Sequence, residues 1–358
     1  MRIFRNPLRS FFKKKVVGID IGTSSVKVVE ISLLGNQKKL ENYGEIKSDS
    51  FYKGSLSKTT KGSYLFTNGS ISKIVRAILD ESHIKTKSVV FSIPDFSTFC
   101  TSFDIPPMTE KEIPDAIRYN ASQYITLPIS EVTLDWRTQP NTSGDKNASL
   151  KVFLVAVPNQ VVQEYQAMAK MVGLELHALE AEAMGVTRAL VKDNKKTVCL
   201  VDIGVQSSTI NVIDRGFLKK SYSFSFNSSQ LSHVVSSVLG VDLDLAEDIK
   251  NKEGLMHTSE TMVKNLYLLI DPLLIEIKSV SAEFFQSDKK QIEGVYLTGG
   301  TANLPGLREY FAESLKKEVY IPNCFSGFSY PPILEETLKK MGPSFSAAVG
   351  VALGDLET

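Results

Sequence analysis

Two segments half a chain apart resemble each other, and this pair constrains the fold more than any other feature. The first is GIDIGTSSVKVV (residues 18–29) and the second is LVDIGVQSSTINV (residues 200–212). Each has an aspartate, a glycine two residues later, and a serine-containing turn that leads into a β-branched strand. One such segment alone is typical of an ordinary hairpin turn. The pair predicts an internally duplicated α/β chain with two lobes, each large enough to bury a core.

The two turns suit the phosphates of a nucleotide. Backbone N–H groups and hydroxyls can hold phosphate oxygens, and glycine lacks the Cβ that would block close approach. Asp20 and Asp202 would face a divalent cation through water, because Mg²⁺ dehydrates reluctantly. The candidate phosphate-binding residues are Gly22, Thr23, Ser24, Ser25 and Lys27 in the first hairpin, and Gly204, Gln206, Ser207 and Ser208 in the second.

Two further motifs could complete a nucleotide site. VYLTGGTANLPGL (residues 295–307) places a double glycine after a strand, which suits a flat ring on the backbone, although alone it is more typical of a strand–helix turn. In LAEDIK (residues 245–250), Glu247 and Lys250 share a helix face. They could hold a ribose and an adenine edge, or form only a surface ion pair. The candidate residues of the first motif are Gly299, Gly300, Thr301 and Asn303.

Charge and hydropathy exclude several functional classes. The formal net charge of +1 gives no general attraction to nucleic acid or anionic membrane. No apolar run reaches the ~18 residues of a membrane span; the longest, 266–277, is interrupted by Asp271 and Pro272. The three cysteines are too scattered for a disulfide framework or a zinc site. We therefore expect a cytoplasmic protein whose cysteines are ordinary buried thiols in a reducing compartment.

The N-terminus, MRIFRNPLRSFFKKK, is both basic and apolar. It lacks the long apolar segment and the cleavage site of a signal peptide. Residues 1–14 are interpreted as a solvated lead-in to the first strand, or as a weak contact with anionic lipid or a membrane-bound partner.

A small α+β subdomain is predicted as an insertion at residues 95–174. Thr109 and Glu112 are spaced as a capping box at the start of its first helix. Before the insertion, a helix is expected that begins at a Ser70 cap, and a strand is expected over 88–93. The expected apolar face of this helix is Ile71, Ile74, Val75, Ile78 and Leu79. Later in the chain, a long helix is expected over 273–285 and a strand over 294–298. The expected elements of the insertion are a helix over 109–123, strands over 132–137 and 152–157, and a helix over 160–172.

The order of these motifs resembles the superfamily of actin, heat-shock chaperones and sugar kinases, in which two RNase H-like lobes enclose a nucleotide. The hairpins resemble its phosphate-1 and phosphate-2 motifs, and the double glycine its adenosine motif. Helices over 180–190 and 344–353 resemble its two connecting helices, whose small residues allow close crossing. The resemblance implies ATP and Mg²⁺ as cofactors and Glu182 as the acid that orients a water molecule. It also implies the domains: a first lobe of 15–94, 175–196 and 342–358, an SHS2-like insertion at 95–174, and a second lobe of 197–341.

Four segments narrow the resemblance to the PilM family of type IV pilus assembly proteins. They are QYITLPISEVTLDW, HALEAEAMGVTRAL, LLIEIKSVSAEFF and LTGGTANLPGL. This resemblance implies an ATP-binding scaffold at the cytoplasmic face of the inner membrane. It also implies docking of the cytoplasmic N-terminal peptide of PilN, which is apolar and basic, in a groove between the insertion and the first lobe. Other pilus components and self-association are compatible with this expectation.

Departures from the family pattern leave alternatives open. DIGVQSST lacks the glycine-rich second turn of the chaperones, and Thr126 replaces a usual proline, so we expect slow or absent ATP turnover. One alternative is a small-molecule kinase of the same fold, although the sugar-binding Asn-Asp pattern is not visible. Another is a filament former like FtsA, although FtsA ends in a linker and an amphipathic helix, whereas this sequence ends soon after the second connecting helix.

Overall fold

Both predicted hairpins form in the structure, each near the middle of its own sheet. The chain divides into a first unit (Met1–Ala189, Gly327–Tyr330 and Ala347–Thr358) and a second unit (Leu190–Ser326 and Pro331–Ser346). The structure is a computed structural model, and it describes residues 4–5, 15–47, 69–140, 149–193, 195–205, 207–224, 226 and 228–356. Most of the basic lead-in, residues 48–68 and Gln206 therefore lie outside the described residues.

A seven-stranded sheet forms the centre of the first unit. Its strands are β1 (Phe4–Arg5), β2 (Lys15–Ile21), β3 (Ser25–Leu34), β4 (Gln37–Lys47), β5 (Ser88–Ile93), β9 (Glu175–Ala181) and β15 (Phe328–Ser329). They lie in the order β1-β9-β5-β2-β3-β4-β15. β2 and β3 are antiparallel, whereas β5 and β9 run parallel to β2. Six of the seven residues of β2 are buried, as expected for a strand covered on both faces.

Helices α1 (Ser70–Glu81) and α3 (Asn159–Val172) contribute their apolar faces to the core of this sheet. The predicted apolar face of α1 is buried. The predicted cap is wrong, because Ser70 is the first helical residue and Gly69 is the N-cap, with no side-chain cap bond. Gly69 has a φ of 68°, a left-handed conformation that glycine adopts without strain.

The inserted part of the first unit has a small core of its own. It contains β6 (Phe99–Ile105), α2 (Ile113–Ala121), β7 (Val132–Pro140) and β8 (Leu150–Pro158), with the strands in the order β6-β8-β7. Its apolar cluster includes Phe103, Ile117 and Leu154. β6 was not among the predicted elements. The predicted helix over 109–123 is shorter than expected, because the Thr109 N–H and hydroxyl both donate to the Glu112 carboxylate in a turn before α2 begins.

α3 packs away from that small core. Its buried residues, including Tyr165 and Met168, belong to the cluster that also contains β2 and β5 side chains. The prediction placed this helix within the insertion at 95–174, whereas its packing makes it part of the large sheet's core. The segment with a separate core therefore ends near Pro158, at the end of β8.

The second unit is built on a five-stranded sheet in the order β12-β11-β10-β13-β14. Its strands are β10 (Thr197–Ile203), β11 (Ser208–Asp214), β12 (Phe217–Phe224), β13 (Gly294–Thr298) and β14 (Glu318–Tyr320). Its helices are α5 (Ser229–Leu239), α6 (Leu243–Glu253), α7 (Glu260–Asp288) and α8 (Leu307–Leu315). β13 has the predicted bounds, and α7 is longer than the predicted helix because it continues through Pro272.

Two helices correspond to the predicted connecting helices, α4 (Glu182–Leu190) and α9 (Glu335–Leu356). Within the first unit they cross closely, since a Cβ on Gly350 would lie 1.9 Å from the carbonyl oxygen of Gly185. The expected role of small residues at this crossing is confirmed. Across the part of the chain that the structure describes, no helix is both long enough and apolar enough to cross a membrane.

Candidate nucleotide-binding site

The first hairpin holds Asp20 in a buried polar environment. Asp20 is 5% exposed, and its Oδ1 accepts a hydrogen bond of 2.6 Å from the Ser92 hydroxyl on β5. The Lys27 Nζ lies 4.0 Å from the other carboxylate oxygen and 3.9 Å from Glu45 Oε1. This arrangement follows from register, because Asp20 and Lys27 are directly paired across β2 and β3. One lysine therefore lies between two carboxylates beside the turn.

The turn itself is closed by a backbone bond from Gly22 N–H to the Ser25 carbonyl, 3.0 Å long. A Cβ on Gly22 would lie 3.2 Å from that carbonyl oxygen, so the turn is tight at this position. Gly22, Thr23 and Ser24 are half-buried, whereas Ser25 is buried in β3. The part of the turn that can approach a ligand is therefore Gly22 to Ser24.

The second hairpin repeats this turn. Gly204 N–H donates to the Ser207 carbonyl over 3.1 Å, and a Cβ on Gly204 would lie 2.6 Å from that oxygen, which requires glycine. Ser208 is buried, and its hydroxyl donates to the Phe226 carbonyl over 3.2 Å. Gln206 lies outside the described residues. The Ser208 hydroxyl therefore has a partner within the fold, and Gly204 and Ser207 are the described residues that shape the turn.

Asp202 lies next to the double-glycine motif in the second unit. β10 and β13 are parallel neighbours, with Asp202 paired to Thr298. A Cβ on Gly299 would lie 2.5 Å from Asp202 Oδ1, and Gly299 has a φ of +88°. The Thr301 N–H donates to the Ile203 carbonyl over 3.3 Å. The second aspartate and the motif around Gly299 thus form one cluster in the second unit.

The other residues of the double-glycine motif differ in their surroundings. Gly300 has open space where a Cβ would lie, so the backbone there can be approached. Thr301 is buried. The Asn303 side-chain amide donates to the Lys340 carbonyl on α9 over 2.7 Å, so it already has a structural partner. A bond between residues so distant in sequence could not be read from the local pattern.

Glu247 and Lys250 form an ion pair between a half-exposed carboxylate and a buried lysine. Lys250 is 3% exposed, and its Nζ lies 2.6 Å from Glu247 Oε2 and 3.0 Å from the Ser232 hydroxyl of α5. Ser232 in turn donates to Glu247. Burial raises the pKa of Glu247, but the hydrogen bonds from Lys250 and Ser232 and the Lys250 charge outweigh it, so this pKa lies below its ordinary value.

The α6 pair and the double-glycine motif are connected within the second unit. The segment after α6 contacts the loop before α8, where Leu255 N–H donates to the Pro305 carbonyl over 2.9 Å. A Cβ on Gly254 would lie 2.7 Å from the same oxygen, and Gly254 has a φ of +49°. The two predicted adenosine-binding motifs are therefore tied together by backbone contacts.

Glu182 begins α4 in the first unit and is half-buried. Its neighbour Ala183 donates its N–H to Asp95 Oδ1 over 3.1 Å. The Tyr165 hydroxyl on α3 lies near several of these charges. Burial, followed by the charges of Asp20, Glu182 and Glu164, raises the pKa of Tyr165 well above its ordinary value. Asp20 and Glu182 thus act on the same buried tyrosine. Sequence reasoning missed both Tyr165 and Ser92, since no local motif marks either.

Asp20 and Asp202 are the predicted carboxylates for a magnesium ion held through water. Among the described residues, no group of three or more His, Cys, Asp or Glu side chains could hold a metal ion together. Asp20 already accepts from Ser92 and lies near Lys27, so its carboxylate is better placed to hold a hydrated cation than to enclose a bare one.

The paired sheets and repeated hairpins define an actin-like fold. Among solved structures, the chain is similar to the ethanolamine utilization protein EutJ from Carboxydothermus hydrogenoformans (TM-score 0.54, 19% identity, 98% of this chain and 92% of that one). It is also similar to MreB 5 of Spiroplasma citri bound to AMPPNP (TM-score 0.51, 14% identity, covering 92% of this chain and 98% of that one). These likenesses show the actin-like fold.

The chain belongs to the family described as type IV pilus assembly protein PilM, whose profile matches residues 18–356. A structure of the PilM-PilN type IV pilus biogenesis complex is similar to it (TM-score 0.79, 22% identity, 96% of this chain and 99% of that one). The cell division protein FtsA of Enterococcus faecalis is 23% identical over 350 residues, covering 86% of this chain and 78% of FtsA. That of Enterococcus hirae is 24% identical over 352 residues, with the same coverage.

Proposed function

We propose that this protein is a nucleotide-binding scaffold of the type IV pilus assembly machinery, acting at the cytoplasmic face of the inner membrane. It binds ATP with Mg²⁺ and docks the cytoplasmic N-terminal tail of PilN. The observation that carries the proposal is the family match over residues 18–356, which includes both hairpins, the double-glycine motif and the inserted subdomain.

The geometry of the hairpins supports nucleotide binding. Gly22 to Ser24 and the Gly204 turn present backbone N–H groups and hydroxyls for the phosphates, with Lys27 as the adjacent cation. Asp20 of the first unit and Asp202 of the second would hold Mg²⁺ through water, and the ion would neutralise phosphate charge. The open backbone at Gly300 and the Glu247–Lys250 pair receive the adenosine. MreB 5, which shares the fold, was solved with AMPPNP bound.

Catalysis is a minor part of the proposal. Glu182, in the first turn of α4, orients a water molecule for slow hydrolysis. Ser208 and Asn303 each already donate a hydrogen bond to a backbone carbonyl within the protein, and their contact with the nucleotide stays a prediction. Binding, and not turnover, is therefore the property to measure first.

A thermal-shift series tests the nucleotide site. A ligand that binds only the native state at about 100 times its Kd stabilises the protein by about 2.7 kcal/mol. We expect ATP with Mg²⁺ to raise the melting temperature of the chain, and Asp20→Asn to lose most of that increase. Asp104→Asn, an exposed carboxylate on β6, is the matched control and should keep it. An undiminished increase in Asp20→Asn would mean that the phosphate site lies elsewhere.

Docking of the PilN tail is proposed for the side of the first unit that carries the insertion. Removing 95–174 would be a poor test, because α3 supplies core residues to the large sheet. Ile105 and Leu150 are directly paired, so replacing residues 106–149 by Asn-Gly turns β6 and β8 into a hairpin. Pro140 and Leu150 are also paired, so replacing only residues 141–149 by Asn-Gly gives a matched control that keeps α2 and β7.

We expect the first variant to lose capture of an immobilised PilN tail and the second to retain it. Both should keep the thermal shift with ATP, since no phosphate motif is removed. Capture of the tail by a folded, ATP-binding first variant would exclude the insertion as part of the docking site.

The FtsA relatives favour one second candidate, a filament former. Sedimentation with ATP and Mg²⁺ separates the two. A scaffold stays in the supernatant over a range of protein concentrations, whereas a filament former pellets above a critical concentration.

A further inference from the structure

The chain's own N-terminal segment is paired with the edge of the large sheet. Phe4 and Arg5 form β1, which lies antiparallel to β9 with Phe4 opposite Leu179 and Arg5 opposite Ala178. Without β1, β9 would be the outermost strand of this sheet. An unpaired edge presents main-chain donors and acceptors that any extended segment can use. The edge of β9 is therefore a place where an extended peptide binds, and here the peptide is part of the same chain.

The β9 edge suits a basic occupant. Glu175 begins the strand and is exposed, and Glu182 and Asp95 lie just beyond its other end, where Ala183 N–H donates to Asp95. The buried Glu180 within the strand is instead paired with Arg188. The lead-in that supplies β1, MRIFRNPLRSFFKKK, is basic and apolar.

The pairing is short enough to be displaced. β1 covers two of the seven residues of β9, so it contributes only a few main-chain hydrogen bonds. The connection is also short: residues 6–14 separate β1 from β2, which lies three strands away, roughly 14 Å. Such a tether holds the segment at an effective concentration of the order of millimolar. A weak strand on a short tether occupies its site most of the time but yields to a longer competitor.

From this pairing we infer that β9 is the docking edge for the extended apolar and basic tail, and that the N-terminal strand occupies it in the free protein. The inference rests on the proposed function, in which the tail belongs to the membrane partner. Extended peptides gain affinity by adding main-chain bonds to a sheet edge. Because the binding-competent fraction of the chain is reduced, the apparent affinity for the tail is reduced by the same factor.

Binding of the N-terminal peptide, added as a separate molecule, tests the β9 edge without the PilN tail. The probe is a synthetic peptide of residues 1–12, MRIFRNPLRSFF, titrated into a chain that lacks those residues and into the full chain. We expect binding to the truncated chain and at least tenfold weaker binding to the full chain. The same peptide with Phe4→Pro and Arg5→Pro should not bind, because proline removes main-chain donors. Absence of binding to the truncated chain, or equal binding to both chains, overturns the inference.

Affinity for a synthetic PilN tail peptide tests the competition. The full chain carrying Phe4→Pro and Arg5→Pro should bind the tail about tenfold more tightly than the unmodified chain. Phe4→Val with Arg5→Lys is the matched control, since it keeps the charge and the strand propensity, and it should bind like the unmodified chain.

The outcomes separate this inference from the proposed function. The unmodified chain, the proline variant and the Phe4→Val, Arg5→Lys control are compared for their affinity for the PilN tail. Equal affinity of all three overturns the inference and leaves the proposed function standing. If none of them binds the tail while the peptide of residues 1–12 still binds the truncated chain, the proposed function fails and the occupied edge is supported.

Discussion

Asp20 combines near-complete burial with a hydrogen bond from Ser92 and a lysine about 4 Å away. Its position was predictable, because the Asp-x-Gly pattern occurs twice in the sequence. Its partners were not fully predictable. The proximity of Lys27 to Asp20 follows from the hairpin register. Ser92, by contrast, lies on β5, which is distant from Asp20 in sequence and adjacent to it only in the sheet. Tertiary contacts, which a local motif does not encode, complete the site.

Glu180 and Arg188 form a buried ion pair that holds α9. Glu180 is 0% exposed, and the two Arg188 Nη atoms lie 2.5 and 2.8 Å from its oxygens. Arg188 also donates to the Gly350 carbonyl over 2.7 Å. Glu180→Gln leaves a partly buried guanidinium without its counter-charge, which costs about 3–5 kcal/mol of unfolding free energy. Denaturant unfolding monitored by circular dichroism measures this loss.

Two further variants distinguish the loss of a buried pair from a general effect. Lys252→Gln removes one partner of an exposed pair with Asp248 and should cost at most about 1 kcal/mol. Replacing both partners, Glu180→Leu with Arg188→Met, should cost less than Glu180→Gln alone, because no charge is left buried. A double variant less stable than the single one would contradict this account of the pair.

Glu247 makes the stability of the second unit sensitive to acid. Its pKa is lowered in the folded state, so its contribution is fully present above about pH 4.5, the ordinary value, and is lost as the pH falls through the folded value. Since its side chain is 48% exposed, we expect Glu247→Gln to cost only about 1–2 kcal/mol at pH 7. The difference from the unmodified chain should shrink below pH 4.5 in denaturant titrations.

The matched control for this pH series is Glu260→Gln, a carboxylate that is exposed and pairs only loosely with Lys264. It should change stability by a few tenths of a kcal/mol at pH 7. The loss of unfolding free energy in Glu247→Gln, relative to the unmodified chain, should not stay constant from pH 7 to pH 3. A constant loss would show that the ion pair does not depend on the Glu247 charge.

At the scale of elements, α4 and α9 cross so closely that their glycines have no room for a side chain. A Cβ on Gly350 would lie 1.9 Å from the Gly185 carbonyl oxygen, a backbone atom that cannot rotate away. Alanine normally stabilises a helix relative to glycine by about 1 kcal/mol. Here we expect the opposite sign, with Gly350→Ala destabilising the protein by about 1–3 kcal/mol or more in thermal unfolding.

Gly300→Ala is the control for this substitution, because a Cβ there meets nothing within 4 Å and the backbone φ is not positive. It should leave the melting temperature nearly unchanged. Equal effects of the two substitutions would mean that the crossing of α4 and α9 is looser than the structure indicates.

Elements defined by a strong local pattern were predictable, and those defined by packing were not. The bounds of β5 and β13 agree with the prediction, because each is a short apolar run bounded by polar or turn residues. β6 was missed, since Phe99–Ile105 has polar residues that hide its strand pattern. The apolar face of α3 packs into the core of the large sheet. Its sequence alone is equally compatible with packing into the small core of the insertion.

For the whole molecule, the duplication visible in the sequence predicted the architecture. Two hairpins with the same Asp-x-Gly pattern lie near the centres of two sheets, one in each unit. The resemblance to the PilM family is confirmed by the match over residues 18–356. The nucleotide, the magnesium ion and the docked tail remain proposals, because each depends on a ligand whose contacts the sequence pattern does not specify.

Calorimetric titration of a synthetic PilN tail peptide into the protein tests the central proposal most directly. It is performed with ATP and Mg²⁺ present, on the full chain and on the chain lacking residues 1–12. A scrambled peptide of the same composition controls for non-specific attraction of a basic tail. We predict saturable binding of one tail per chain and none for the scrambled peptide. Absence of tail binding by both chains, in protein that still shows the thermal shift with ATP, would contradict the scaffold proposal.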